Sequence, residues 1–119
     1  REMEKRGKYG HAKLLRAARE LNDEMVEYWA ERIVLHSLKV KKPLSDVRIC
    51  VKGITFRRGV KELYHSRNLA LAWLLSEKGL DVYVHDELFT KEEIEALGLR
   101  HMEPREADVV FDCFSLVIE

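Results

Sequence analysis

The sequence predicts an α/β protein in which a long N-terminal helix precedes a three-layer domain with a mainly parallel sheet. Three observations predict it. Apolar residues recur at helical spacing over residues 10–38. From residue 47 onward, strand-like and helix-like segments alternate, and the stretches between the strands are long enough for right-handed crossovers. We therefore divide the chain into a helical segment, residues 1–42, and an α/β domain, residues 43–119.

Length and charge limit the functions that the chain can have. Its 119 residues suffice for one modest core. Lysine plus arginine and aspartate plus glutamate each number 21, so overall charge gives no reason to expect a nucleic acid or an anionic membrane as a partner.

No signal-peptide-like start and no apolar run of about 18 residues occurs, so we expect a cytoplasmic protein. Because the chain begins at Arg1 rather than a methionine, we expect a processed chain or a piece of a larger one.

The first predicted helix has an apolar face of its own. The residues of that face recur at alternating steps of four and three: Leu14, Ala18, Leu21, Met25 and Tyr28. A helix over residues 10–38 would be about 40 Å long, more than a small domain can cover. The face either packs on its own domain or is buried against another chain or a missing domain, and we favour the second interpretation.

The α/β domain follows a connector at Pro43. Ser66 is expected to cap a helix that ends at Gly79, and Thr90 with Glu93 forms a capping box for a short helix. A turn or short helical piece is expected near residue 104. The predicted strands, rich in β-branched residues, are residues 47–51, 81–85 and 108–117.

Cations cluster where the first predicted strand meets the following helix. In open parallel sheets, ligands bind beyond the carboxyl ends of the strands. Gly53 permits close backbone approach there, Arg57 and Arg58 offer forked donors to phosphate or carboxylate, and Phe56 offers an aromatic face. The loop is either a site for a phosphate-bearing ligand or a solvated basic loop. In the second case its cations, which include Lys61, would be solvated or paired with neighbouring acids.

Other motifs are incomplete. The sequence contains no Walker A loop, no GxGxxG motif and no HExxH motif. It also lacks serine, histidine and aspartate in the order of a catalytic triad. His36, His85 and His101 are interpreted as isolated residues. Asp86 is interpreted as a turn aspartate rather than a ribose-binding acid. Cys50 and Cys113 lie in apolar runs and are expected to be reduced core cysteines. We predict no metal site and no complete active site.

Four segments resemble, in order and spacing, the UDP-glucose/GDP-mannose dehydrogenase family. Residues 12–33, AKLLRAARELNDEMVEYWAERI, are similar to its central helix, which reads approximately A-R-E-I-N-D-x-M-P-E-Y. GITFR, residues 53–57, resembles the family's G-L-A-F-K. LSEKGLDVYVHDE and ADVVF resemble two later strands, so the similarity runs over about residues 11–114.

The resemblance implies a Rossmann-like domain that binds the nucleotide part of a sugar substrate. Gly53, Phe56 and Arg57 match the substrate-binding segment, with arginine in place of the family's lysine. Arg58 and Lys61 would add a positive field for phosphate. Tyr64 stands where the family has an NAD-contacting arginine, so we do not expect this loop to bind NAD well. The central helix implies a homodimer.

The resemblance also implies what this chain does. Family members oxidise the C6 hydroxyl of a nucleotide sugar with NAD and a cysteine in a G-G-x-C segment, which these 119 residues lack. We therefore expect a fragment of a nucleotide-sugar 6-dehydrogenase of polysaccharide biosynthesis, inactive alone and incomplete at its C-terminus. Its ligand would be UDP-N-acetylhexosamine or UDP-glucose. The alternative is a degenerate, non-catalytic relative that serves as a nucleotide-binding or dimerisation module.

Overall fold

The computed structural model describes residues 24–55, 58–63 and 66–119. Within these residues the chain forms three helices, five strands and two single-turn 3₁₀ segments. The helices are α1 (Glu24–Ser37), α2 (Arg67–Glu77) and α3 (Lys91–Ala96). The strands are β1 (Arg48–Lys52), β2 (Asp81–His85), β3 (Arg100–His101), β4 (Val109–Asp112) and β5 (Val117–Ile118). The 3₁₀ turns are Leu44–Asp46 and Pro104–Glu106.

The strands form one mixed sheet in the order β3-β2-β1-β4-β5. β1 pairs in parallel with both β2 and β4, β2 pairs in parallel with β3, and β5 runs antiparallel to β4. The predicted α/β class with a mainly parallel sheet is therefore confirmed. The order reverses at β1, because β2 and β3 lie on one side of it and β4 on the other. Such a reversal opens a crevice at the carboxyl ends of the flanking strands.

One apolar core joins the helices to the central strands. Ile33 of α1, Ile49 of β1 and Val84 of β2 are fully buried in it. The Trp29 ring of α1 lies 5.1 Å from the Phe111 ring of β4, so α1 packs beside that strand. Full burial of one valine or isoleucine side chain stabilises the fold by about 1.5–3 kcal/mol. The core therefore holds in place the strand ends that border the candidate site.

The predicted helix caps are confirmed. The Ser66 hydroxyl accepts a hydrogen bond from the N–H of Leu69 at 3.1 Å at the start of α2. Thr90 and Glu93 form a reciprocal capping box at the start of α3, with bonds of 2.9 and 3.1 Å. Gly79 follows α2 with a φ of +86°, a left-handed conformation that glycine adopts without strain.

The prediction of one strand over residues 108–117 was wrong. β4 ends at Asp112, whose Oδ1 accepts from the backbone N–H groups of Phe114 and Ser115 at 3.0 and 3.2 Å. Leu116 then adopts a φ of 58°, and the chain returns as β5. The local hydrogen bonds of the aspartate replace ladder bonds and turn the chain. β3, a two-residue strand, was not predicted.

The predicted long helix is described only in part. α1 begins at Glu24, so Leu14, Ala18 and Leu21 lie outside the described residues. Met25 and Tyr28 are each 49% exposed, while the buried apolar residues of α1 are Val26, Ala30 and Ile33. The described part of the predicted apolar face therefore points away from the domain core. A three-layer, Rossmann-like arrangement stays a prediction, as does the boundary at residue 42.

The described helices include none with the length and apolar character that crossing a membrane requires.

Candidate functional site

A cleft of about 260 Å³ opens at the carboxyl ends of three neighbouring strands. Lys52 and Gly53 border it at the end of β1, His85 and Asp86 at the end of β2, and Asp112 at the end of β4. Arg58, Gly59 and Phe114 complete much of the remaining wall. The cleft thus lies where the strand order reverses, the position at which open parallel sheets hold ligands. The basic loop that the sequence singled out contributes part of its lining.

Gly53 lines this cleft directly after β1. Its N–H donates to the His85 carbonyl at 2.9 Å, which extends the β1–β2 pairing by one residue. Its φ is +83°, and a Cβ built on it would lie 2.8 Å from Cδ2 of Phe114. Only glycine fits both requirements without displacing the ring. The sequence predicted that another group would closely approach the backbone at Gly53, and the Phe114 ring of this chain does so. Contact between Gly53 and a substrate stays a prediction.

Asp86 links two sides of the cleft through hydrogen bonds. Its carboxylate is buried, and Oδ2 accepts from the Ile54 N–H at 2.8 Å while Oδ1 accepts from the Leu88 N–H at 2.9 Å. The carboxylate therefore stabilises the loop after β1 and the turn after β2 together. The interpretation of Asp86 as a turn aspartate is confirmed.

The N-terminus of α2 anchors the same loop from the opposite side. The Ser66 hydroxyl donates to the Ile54 carbonyl at 2.5 Å while it caps the helix. Asn68 donates from Nδ2 to the Thr55 carbonyl at 3.0 Å. The backbone at the start of the basic loop is thereby tied both to β2 and to α2, which preorganises the wall of the cleft.

The predicted cations do not all reach the cleft. The Arg58 guanidinium lies 5.0 Å from the centroid of the Phe114 ring, and Lys52 Nζ lies 3.9 Å from Oδ2 of Asp112. Lys61 instead pairs with Glu93 of α3 at 2.7 Å, and its Nζ lies 4.9 Å from the Phe89 ring. Of the two residues predicted to supply a phosphate field, Arg58 borders the cleft, whereas Lys61 is paired with an acid outside it.

Three further predicted residues lie outside the described part of the chain. They are Phe56, Arg57 and Tyr64. Their assignment to substrate and cofactor contacts stays a prediction.

Asp112 places a negative charge opposite the cleft cations. Partial burial acts to raise the pKa of its carboxyl group, but the N–H groups of Ser115 and Phe114, and then the charges of Lys52 and Arg58, outweigh it and lower the pKa. The group is therefore ionised at neutral pH. Asp86 and Glu87 also border the cleft, so its described wall is electrostatically mixed rather than uniformly basic.

Neither cysteine is suited to nucleophilic chemistry. Both thiols are free and buried, as the sequence predicted. Burial raises the pKa of Cys50 to about 12. Burial, followed by the nearby charges of Asp112 and Asp86, raises the pKa of Cys113 well above its usual range. Because the thiolate is the reactive form, these residues act as core side chains.

The interpretation of His85 and His101 as isolated residues was wrong. Their Nε2 atoms lie 3.5 and 3.7 Å from Oε2 of Glu103, and the two imidazole centroids are 5.8 Å apart. This cluster could not be predicted from local patterns, because it depends on β3 pairing with β2. The available signal was a histidine at the end of the predicted strand 81–85 and a second histidine at position 101.

Comparison with known proteins finds a partial and distant similarity. No protein-family profile matches the sequence. The chain is 33% identical over 81 residues to the UDP-N-acetyl-D-mannosamine dehydrogenase of Methanococcus vannielii, a match that covers 66% of this chain and 18% of that enzyme. It is 28% identical over 101 residues to Protein CapL of Staphylococcus aureus, a match that covers 84% of this chain and 24% of that protein. The matched region thus spans a quarter or less of either relative's length, and it supports a distant relationship to a nucleotide-sugar dehydrogenase.

Proposed function

We propose that this chain is the substrate-binding portion of an NAD-dependent nucleotide-sugar 6-dehydrogenase and that its cleft holds the UDP part of the sugar. The partial match to UDP-N-acetyl-D-mannosamine dehydrogenase carries the proposal. The cleft supports it, because it lies at the carboxyl ends of parallel strands at the reversal of strand order. UDP-N-acetylhexosamine is the preferred ligand, with UDP-glucose as the alternative sugar.

The cleft offers complementary chemistry to a nucleoside diphosphate. Arg58 presents a forked guanidinium to diphosphate oxygens, and Lys52 adds a second charge on the same wall. The Phe114 ring provides an apolar surface over Gly53. The family resemblance adds Phe56 and Arg57. Because Asp112 faces Lys52, binding requires the phosphate to compete with a carboxylate already present.

Oxidation itself is assigned to other parts of the parent enzyme. NAD bound in those other parts would supply the hydride acceptor for oxidation at C6 of the sugar. The residues of this chain do not fit that step, since both thiols are buried with raised pKa values and Tyr64 replaces the family's NAD-contacting arginine. Positioning the nucleotide sugar is the contribution that this chain can make.

Dimerisation through α1 completes the proposal. Met25, Tyr28 and Leu35 are about half exposed and are spaced by three and seven residues, so they share one side of the helix. With Leu14, Ala18 and Leu21 they would continue along a longer helix. A second copy of this chain, presenting the same side, would bury them in a twofold contact.

The second candidate function is a non-catalytic nucleotide-binding or dimerisation module. The replacement at Tyr64 and the acids that border the cleft favour it. A dimeric chain that binds neither UDP-sugar nor NAD would support this alternative as an assembly module.

Calorimetric titration with UDP-N-acetylglucosamine tests the proposed site. Arg57→Ala and Arg58→Ala should each weaken binding by about 10- to 100-fold, because each removes a charge-assisted hydrogen bond to phosphate. Arg105→Ala is the matched control, since it removes the same charge from the exposed Pro104–Glu106 turn and should leave affinity unchanged. Wild-type affinity in both basic-loop variants, or no binding by the wild-type chain, would refute the proposed site.

A further inference from the structure

His85, His101 and Glu103 form a compact cluster beside the cleft. Each offers one donor atom, and the three donor atoms lie within 4.8 Å of one another. Glu103 Oε2 is 3.5 Å from Nε2 of His85 and 3.7 Å from Nε2 of His101. In tetrahedral zinc sites with bonds of about 2.0–2.2 Å, neighbouring donor atoms are about 3.4 Å apart. The two histidine–glutamate separations are within a few tenths of an ångström of that value.

The backbone holds these donors in place. His85 ends β2 and His101 ends the adjacent parallel strand β3. Met102, between the two C-terminal donors, is buried, and its N–H donates to the Val84 carbonyl at 3.2 Å. Because residues two apart in an extended segment point to the same side, His101 and Glu103 are presented together.

Glu103 is fixed further by the turn that follows it. Its backbone is extended, and its carbonyl accepts from the Glu106 N–H at 2.9 Å at the start of the Pro104–Glu106 turn. Pro104 also restricts the backbone of the residue before it. The cluster therefore rests on paired strands and a short turn rather than on a long loop.

Exposure and donor type define the ligand that fits. The side chains of His85, His101 and Glu103 are 21%, 24% and 41% exposed, so an ion can enter and keep a further coordination position for water or another ligand. Two imidazoles and one carboxylate suit Zn²⁺ and neighbouring transition metals better than Mg²⁺ or Ca²⁺, which prefer all-oxygen sites.

We propose that His85, His101 and Glu103 form a site for a divalent transition metal, with Zn²⁺ as the fitting ion. The site is independent of the proposed nucleotide-sugar binding, although His85 also borders the cleft. Because of this shared residue, a bound dication would add positive charge near Asp86 and Glu87 of the cleft lining. His101 and Glu103 are not part of the cleft lining, so variants at these positions separate the two proposals.

Calorimetric titration of the chelator-treated chain with Zn²⁺ alone tests the site. The wild-type chain should take up one Zn²⁺ in a site that His101→Ala and Glu103→Gln each weaken at least about tenfold. His36→Ala is the matched control, because it removes an imidazole at the end of α1 and should leave that affinity unchanged. Titration with Co²⁺ should add visible absorption bands typical of a Co²⁺ ion with a low coordination number. We expect these bands in the wild-type chain and in His36→Ala, and not in His101→Ala or Glu103→Gln.

Glu103→Gln keeps the size of the side chain, so it remains informative if His101→Ala perturbs the fold. Circular dichroism identifies which variants remain folded. Equal Zn²⁺ affinity in the wild-type chain and in the folded variants at positions 101 and 103 would overturn the proposal, as would a wild-type chain that takes up no Zn²⁺. Titration of His101→Ala with UDP-N-acetylglucosamine in metal-free buffer should give wild-type affinity, so the proposed metal site can fail without the proposed nucleotide-sugar site failing.

Discussion

Two aspartates at the same edge of the sheet have different tasks. Asp86, after β2, is 7% exposed and uses both carboxylate oxygens to hold the backbone of Ile54 and Leu88. Asp112, at the end of β4, uses Oδ1 for two backbone N–H groups, and its Oδ2 lies 3.9 Å from Lys52. The first carboxylate stabilises the walls of the cleft, while the second also sets the charge within it. Position at a strand end therefore does not by itself assign a binding role.

The largest expected effect follows from removing the buried member of this pair. Asp86→Ala should lower the free energy of unfolding by about 3 kcal/mol, because the buried N–H of Ile54 and that of Leu88 lose a charged acceptor. Asp112→Ala should cost about 1 kcal/mol, since the N–H of Ser115 is exposed and can bind water. Urea denaturation measures both, and equal losses would contradict the distinction between the two aspartates.

A comparable effect should follow from adding a side chain at Gly53, which lies between the two aspartates at this edge of the sheet. Gly53→Ala combines a left-handed backbone with contact against the Phe114 ring and should cost about 2–4 kcal/mol. Gly79→Ala is the matched control, because Gly79 has a similar φ of +86° and no heavy atom within 4 Å of a built Cβ. It should cost about 1–2 kcal/mol. If thermal denaturation gives the same loss for both variants, the Phe114 ring moves aside freely and the contact at Gly53 is not rigid.

The smallest expected effect concerns the charge of Asp112. Since its pKa is lowered in the folded chain, ionised Asp112 stabilises the fold above the ordinary carboxyl pKa near 4, and this contribution disappears as the pH falls through the lower folded value. Asp112→Asn should therefore reduce the loss of unfolding free energy below about pH 4 by less than about 1 kcal/mol. Urea denaturation at several pH values compares the two chains, and parallel curves would show that Asp112 is not stabilised by its neighbours.

Much of the fold could be predicted because its signals are local. Residues 81–85 were predicted as a strand with the observed bounds, and the first strand was displaced by only one residue. The N-cap residues Ser66 and Thr90 predicted where α2 and α3 begin. The break at Asp112 was missed because an apolar strand pattern continues past it, while the turn depends on where one carboxylate points. β3 was missed because two residues carry no periodicity and acquire strand geometry by pairing with β2.

The candidate site was only partly predictable because its electrostatics depend on distant residues. The loop at Gly53 and Arg58 was predicted to border a ligand site, and both residues border the cleft. The pairing of Lys61 with Glu93 joins residues 32 positions apart, and Lys52 faces an aspartate from β4. No local pattern in the basic loop contains that information. The histidine–glutamate cluster was missed for the same reason.

The most direct test of the central claim is a titration of the ¹⁵N-labelled chain with UDP-N-acetylglucosamine, followed through its backbone amide resonances. If the cleft holds the nucleotide sugar, the amides of Gly53, Gly59 and Phe114 should shift together with one dissociation constant. Those of Gly79 and Gly98, in turns outside the cleft lining, should not move. Shifts confined to other residues, or no shifts at high ligand concentration, would contradict the assignment of this cleft as the nucleotide-sugar site.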